Sequence, residues 1–306
     1  MNGNRIILLQ TVVSDSLPAV RPYLEMLKLH LCLYISLSAV FGHVMARQSF
    51  SFESLLLGIF VLILACGSAV LNNIQDKEYD KFFLRTCYRS LPQKKVPVFH
   101  AKLMAILLTG CGLLGLLFFC GPAPFFWGGM AFFCYNGLYT PLKKRSLLAI
   151  VPGSLCGMLP PLIGWTAAGK NLSDPSVLML LSIFGLWQIP HFFIILLKQG
   201  MDHSKADELK RFPCFTRLFS KKEIMLQTLI WTSLYSLSLL LFLMNGAIKN
   251  HILSMGSGLN AVMIPFIVSA IVLRSREWNL SVAFTAINLS MLFFMGAGIC
   301  DKFFPG

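Results

Sequence analysis

The chain has 306 residues, of which 56% are hydrophobic and only 13% charged, and its mean hydropathy is +0.70. A soluble globular domain carries about 25% charged residues, so this composition excludes an ordinary soluble fold and points to lipid as the main solvent. The formal net charge of +13 would suit a nucleic-acid partner in a soluble chain, but in so apolar a chain it reports loop charges, and no nucleic-acid partner is expected.

Taken in chain order, residues 1–28 mix Arg5, Asp15, Arg21 and Glu25 with a short apolar run. They read as a cytoplasmic amphipathic N-terminal segment without the pattern of a cleavable signal peptide. Residues 29–306 read as a single transmembrane domain. Its apolar runs lie near 29–46, 54–74, 98–119, 122–139, 147–167, 175–197, 224–245, 252–272 and 281–299, which makes about nine spans. Backbone groups in hydrocarbon must be paired internally, which favours helices. The runs are too long and too uniformly apolar for the alternating segments of a membrane barrel. The predicted fold class is therefore an all-α polytopic membrane protein.

Loop charge tests this division. The N-terminal side of the alternation holds Lys28, then Lys77, Lys81, Arg85, Arg89, Lys94 and Lys95, and further clusters at 143–145, 198–222 and 274–276. The opposite side holds Arg47, Lys170, Lys249 and Lys302. The positive-inside rule then predicts a cytoplasmic N-terminus and an external C-terminus. Two cytoplasmic connections, 75–97 and 198–223, are long, so chemistry is expected on that side.

The second span closes on Asn72, Asp76 and Asp80, four residues apart, a spacing that stacks three oxygen donors on one helix face. Two carboxylates and an amide oxygen suit Mg²⁺ shared with substrate phosphates. Arg85, Arg89, Lys94 and Lys95 follow, a supply of cations for a diphosphate. An ordinary charged helix end would explain the cations but not the buried-side acidic register. The nine cysteines form no CxxC pair or Cys/His cluster, so neither zinc nor a disulfide framework is expected. Cys32, Cys66, Cys111, Cys134 and Cys156 read as small buried hydrophobes. His30, His43 and His251 carry no assigned role. The Gly- and Pro-rich stretch Pro152–Gly164 reads as a closely packed, bent helix.

The run from Asn72 to Asp80, followed by Arg85-Thr86 and Arg89-Ser90-Leu91-Pro92, resembles the NxxxDxxxD…RTxxRPL signature of the UbiA superfamily of intramembrane prenyltransferases. Ser90 stands where that pattern has Pro. Tyr139-Thr140-Pro141-Leu142-Lys143-Lys144-Arg145 is similar to the family's YT…KR element. Gly157 to Trp165 resembles the PPLIGW stretch of its protoheme IX farnesyltransferase branch, and Trp187-Gln188-Ile189-Pro190-His191-Phe192-Phe193 resembles that branch's WxPPHFW. Ala149 stands where the branch has Asn, and Asp202 and Asp207 lie five apart where many members carry DxxxD.

The resemblance implies a UbiA-like bundle with a cytoplasm-facing central cavity and active-site loops at 72–97, 139–147 and 198–223. It implies metal and catalytic roles for Asn72, Asp76 and Asp80, and a catalytic role for Tyr139. Arg85, Arg89, Lys143, Lys144, Arg145 and Asp202 would bind the diphosphate, with Arg145 favoured for its two-pronged guanidinium. Trp165, Trp187 and His191 would meet the acceptor. The implied reaction is farnesyl transfer from farnesyl diphosphate to a vinyl group of haem B, giving haem O. The implied setting is a bacterial inner membrane, with haem A synthase or cytochrome oxidase assembly proteins as candidate partners. The alternatives at this stage are a relative acting on a quinone precursor or other lipid acceptor, a transporter, and a haem-binding assembly factor without catalysis. A transporter would place its polar groups at mid-membrane, whereas here they gather at one mouth.

Overall fold

The computed structural model describes residues 20–83, 86–199, 219–274 and 277–303. Among them there is no strand. Helix α1 spans Val20–Arg47 and α2 spans Phe52–Asp76, followed by a 3-10 turn at Tyr79–Phe82. Helix α3 runs Val98–Gly115 and widens into a π-helical end at Leu116–Cys120. Helix α4, Pro122–Phe132, continues through a π-helical segment, Phe133–Tyr139, to a last turn at Thr140–Leu142. Then come α5 (Ile150–Ala167), α6 (Pro175–Gln199), α7 (Lys221–Met244), α8 (His251–Leu273) and α9 (Glu277–Phe303).

Every expected span therefore has its helix. Eight are continuous, long and apolar enough to cross a membrane; α4 is the ninth, divided only by its change of helical pitch. The first span begins at Leu29, next to the expected division at 28. Residues 20–27 are also helical and join it through Lys28, whose left-handed backbone (φ 50°, ψ 47°) breaks the helix for one residue, a break that hydropathy does not register.

Sequential helices pack side by side and α9 returns to α1, with α1 also against α5 and α6 against α9. Around α1 and α5–α9 lies the largest core, with Phe41, Leu180, Ile183, Phe184, Tyr235 and Phe294 fully buried. Lipid tails are as apolar as these side chains, so association inside the bilayer rests on close packing rather than on removal from water. The α1–α5 crossing shows it. A Cβ on Gly42 would run into the Pro161 backbone, and one on Gly164 into the Ala39 carbonyl. Despite Pro160 and Pro161, α5 stays helical through Ala167.

Cys32, Cys66 and Cys134 are buried as expected, but Cys111 is exposed on the helix surface. A thiol of low polarity is as acceptable to lipid as to the core.

Gly164→Ala is expected to destabilise the bundle by about 1–3 kcal/mol through overpacking, read as a lower thermal midpoint in detergent. Gly129→Ala, where nothing lies within 4 Å of the added carbon, should leave the midpoint unchanged or slightly raised. Equal midpoints for the two would disprove the close α1–α5 crossing.

Candidate active site

The site forms where α2 ends. Asn72 and Asp76 occupy successive turns of the helix, and the Asn72 amide donates to Asp76 Oδ2 at 3.0 Å. Asp80 is not on that helix: α2 stops at Asp76, and Asp80 sits on the 3-10 turn that follows. The three side chains nevertheless stay together in the interior, at 2%, 2% and 4% exposure. Carboxylates so buried at a membrane mouth must be compensated, and each is. Arg89 Nη1 lies 2.8 Å from Asp80 Oδ2. Lys143 Nζ donates to Asp76 Oδ2 at 2.5 Å. Lys144 Nζ lies 2.8 Å from Asp76 Oδ1, off the line of a hydrogen bond, and donates instead to the Gln75 carbonyl at 2.7 Å. Burial holds the Lys143 ammonium below the ordinary lysine value, and the Asp76 carboxylate acts against that shift.

Two long-range ties bring these groups together. The first joins α4 to α2. Gln75 donates to the Asn136 carbonyl at 2.9 Å, while the Asn136 amide donates to Gln75 Oε1 at 3.2 Å and to the Ser68 carbonyl at 3.0 Å. Asn136 lies in the π-helical segment, whose wider turn shifts the register of everything beyond it. One turn on, Thr140 accepts from Asn72 at 3.0 Å and donates to the Tyr135 carbonyl at 2.8 Å. The second tie fastens the 86–95 loop. Thr86 donates to the Asp80 carbonyl at 2.9 Å. Ser90 donates within reach of both the Pro22 carbonyl and Glu25 Oε2, at 3.0 and 3.1 Å. Proline has no such hydroxyl, so the residue that departs from the family pattern is the one that bonds the loop to α1.

Lys28 completes the cluster. Its left-handed backbone costs about 1–2 kcal/mol for a residue with a Cβ, and its ammonium donates to Asn72 Oδ1 at 2.8 Å. Among the other expected site residues, half-buried Tyr139 lies under the Lys143 ammonium, 5.6 Å from its ring centre, and stacks on Tyr135. Arg145 is exposed, so Lys143 and Lys144, not the favoured Arg145, reach Asp76. A chain leaving a helix end presents successive side chains in different directions, and here the first two point inward. Arg85 and Asp202 lie outside the described residues.

The aromatic residues divide. His191 sits about two turns before the end of α6, with its ring 5.1 Å from Trp187 and 4.6 Å from Phe284. Its Nδ1 is buried without a hydrogen-bond partner. Trp187 stacks on Tyr34 of α1 at 5.3 Å, less than two turns beyond Lys28, so this aromatic layer lies just beneath the acidic mouth. Trp165 is elsewhere. It stands near the far end of α5, about 20 Å along the helix from its start at the site, and its indole N–H donates to the Asn171 carbonyl. It closes the α5–α6 connection and does not meet the other site residues.

Among the described residues no three His, Cys, Asp or Glu side chains gather as a metal cluster, so a metal here relies on the mixed amide and carboxylate set. That set fits a hard divalent cation. Asn72 Oδ1, both Asp76 oxygens and Asp80 Oδ2 already face cationic groups, and buried Asp76 Oδ1 lacks a hydrogen-bond donor.

A profile of the UbiA prenyltransferase family matches residues 35–294. The chain belongs to the UbiA prenyltransferase family. Three relatives all bear the name protoheme IX farnesyltransferase. That of Geobacter sulfurreducens is 34% identical over 196 residues, 64% of this chain and 71% of the relative. That of Aquifex aeolicus is 32% identical over 231 residues, covering 75% and 77%. That of Oleidesulfovibrio alaskensis is 28% identical over 281 residues, covering 88% and 92%. The UbiA fold is matched by an apo homologue from Aeropyrum pernix K1, with TM-score 0.73 and 16% identity over 89% of this chain and 98% of that one. It is matched also by a homologue from Archaeoglobus fulgidus bound to DMAPP and Mg²⁺, with TM-score 0.69 and 15% identity over 92% and 98%.

In this UbiA protein, Lys28 and Thr140 escaped sequence reasoning. Lys28 bonds Asn72 across 44 residues of chain, and no local spacing announces such a pair. Thr140 carried a signal, a hydroxyl beside the flagged Tyr139, but its partner is 68 residues away. Thr140→Val keeps the shape while leaving the buried Asn72 amide one acceptor short, at a cost of about 1–3 kcal/mol. A thermal-shift measurement should show the loss. A midpoint equal to that of the parent would mean that this contact does not hold α4 on α2.

Proposed function

We propose that this chain transfers a farnesyl group from farnesyl diphosphate to a vinyl group of haem B, giving haem O. One observation carries the reading: Asn72, Asp76 and Asp80 are buried together at the mouth of an apolar bundle, ringed by Lys28, Arg89, Lys143 and Lys144. The name shared by the relatives supports the choice of acceptor.

Asn72, Asp76 and Asp80 are the residues that would hold Mg²⁺. When bound, the metal would supply the positive charge that favours departure of diphosphate. Arg89, Lys143 and Lys144 donate to the phosphate oxygens and balance the charge that grows on them as the C–O bond breaks. The faces of Tyr139 and Tyr135 lie beside this point and stabilise an allylic cation. The surrounding apolar helices keep water from capturing it early. Trp187 and His191, in the aromatic layer beneath, flank the flat acceptor. Attack by the vinyl group forms the new C–C bond, and a water molecule adds to the resulting cation and gives up a proton, leaving a hydroxyethylfarnesyl group.

Arg85, Arg145 and Asp202 remain proposed contributors to diphosphate binding through the loops that carry them. The concentration of cations on this face supports a cytoplasmic position for it and for the N-terminus, within the proposed setting of a bacterial inner membrane with the C-terminus outside. A haem A synthase is the natural consumer of the product and a proposed partner.

The test is to incubate purified protein with haem B, farnesyl diphosphate and Mg²⁺ and to weigh the porphyrin. The expected product is heavier by one farnesyl group and one water, less a proton. Asp76→Ala should insert normally yet lose at least about a thousandfold in turnover, several kcal/mol of transition-state stabilisation. His191→Ala should purify with less haem. An unmodified porphyrin combined with turnover of an aromatic quinone precursor would move the chain to another branch, and undiminished activity in Asp76→Ala would end the metal-site reading.

A further inference from the structure

Lys28 belongs to no motif in the sequence, yet its side chain enters the site. The charges there do not match one for one. Asp80 is paired with Arg89, and Asp76 with both Lys143 and Lys144. Lys28 is bonded to the amide oxygen of Asn72, a group without charge. The carboxylate of Glu25, which lines the same cleft as Lys28, is engaged with Arg21 at 3.2 Å and Ser90 at 3.1 Å. Cations thus outnumber carboxylates in a mouth bordered by lipid, where an uncompensated charge is expensive. An ammonium has three protons to donate, and one of them meets Asn72. Lys28 also lines a cleft of about 180 Å³ together with Asn73, Arg89, Ser90 and Leu91, so Arg89 and Lys28 face a common space.

We propose that Lys28 is a binding residue for the diphosphate, kept in place by Asn72 until a divalent cation arrives. The assignment rests on the function proposed above. Magnesium coordinates oxygen at about 2 Å. A divalent ion on Asn72 Oδ1 and an ammonium 2.8 Å from the same atom would repel each other strongly. A metal held there would release the ammonium, and an oxygen of the entering diphosphate would be the acceptor that compensates both its charge and its lost hydrogen bond. The left-handed break at Lys28 gives this side chain its inward direction, since an unbroken helix would carry it round with its neighbours. Lys28 then distinguishes metal-loaded enzyme, which offers a further cation to the substrate, from metal-free enzyme, which withholds it.

The test uses the full-length protein with Lys28→Met, Lys28→Arg and Lys28→Gly. Glycine suits the left-handed backbone, so Lys28→Gly should melt at or above the parent temperature, and loss of function in it will not be misfolding. In both Lys28→Met and Lys28→Gly the KM for farnesyl diphosphate should rise at least tenfold with kcat changed much less, and Lys28→Arg should recover part of the loss. Binding of Mn²⁺ alone, followed by its electron paramagnetic resonance signal, should be as tight as in the parent or tighter, because a competing cation is gone. A KM within twofold of the parent in Lys28→Gly, or weaker Mn²⁺ binding, overturns the proposal. The underlying reading fails separately: if Asp76→Ala turns over, the metal site is wrong, whereas an inactive Asp76→Ala beside a normal Lys28→Gly removes only the role of Lys28.

Discussion

Two carboxylates held out of water at the edge of a lipid-soluble bundle set the terms for the whole molecule. Neither Asp76 nor Asp80 can stay ionised there without positive charge close by, and the fold delivers that charge from three separate parts of the chain. Lys28 comes from α1, Arg89 from the loop after α2, and Lys143 and Lys144 from the end of α4. Arg89, Lys143 and Lys144, which face the carboxylates directly, stabilise the bundle only together with Asp76 and Asp80, whereas Lys28 meets the uncharged Asn72. The same cluster prepares the site for a ligand that is itself densely charged. On the proposed function, metal and diphosphate would bring charges of both signs into the arrangement, and the protein groups would exchange partners among them.

The remaining structure keeps those parts in register. The paired amides of Gln75 and Asn136 fix α4 along α2, and the π-helical turn rotates Thr140 and Lys143 toward Asn72 and Asp76. Glycines at the α1–α5 crossing let those helices approach until backbone meets backbone. Tyr34, on the same helix α1, stacks on Trp187 of α6. Small residues in the membrane and polar contacts at its edge therefore have different tasks. The first set the spacing between helices, and the second set their rotation and longitudinal register.

Much of this was legible in the sequence, because the bilayer constrains a chain so simply. Hydropathy located each span, and the run of Asn72, Asp76 and Asp80 announced oxygen donors at a helix end. The residues whose positions in the fold the sequence did not give share a cause. Asp80 was expected on α2 because spacing says nothing of where a helix gives way to a 3-10 turn. Arg145 was preferred to Lys144 on the chemistry of its guanidinium, but the direction of a side chain leaving a helix depends on the backbone there. Trp165 was grouped with Trp187 because both lie in motif-like runs, yet a helix of this length separates its two ends by most of a membrane. Lys28 looked like one more topology-setting lysine. Its role depends on a backbone conformation and on a partner distant in sequence, and neither leaves a local pattern.

The vertical order of the site bears on how one scaffold can serve different acceptors. The oxygen donors and cations occupy the polar mouth, and the aromatic layer of Tyr34, Trp187, His191 and Phe284 lies within the first two turns below it. Ionisation of a diphosphate needs only the upper layer, whose chemistry is indifferent to what the cation will meet. On the proposed function, choice of acceptor would fall to the lower layer, where flat rings and a buried, unpartnered imidazole nitrogen would suit a broad aromatic molecule with a few polar points. On the same proposal, the cation would form between the two, with a short path to either water above or acceptor below. Tyr139 and Tyr135, stacked on each other, would then cover the polar side and direct the cation toward the acceptor. Changes confined to the lower layer should therefore alter what is prenylated while leaving intact the machinery that generates the electrophile.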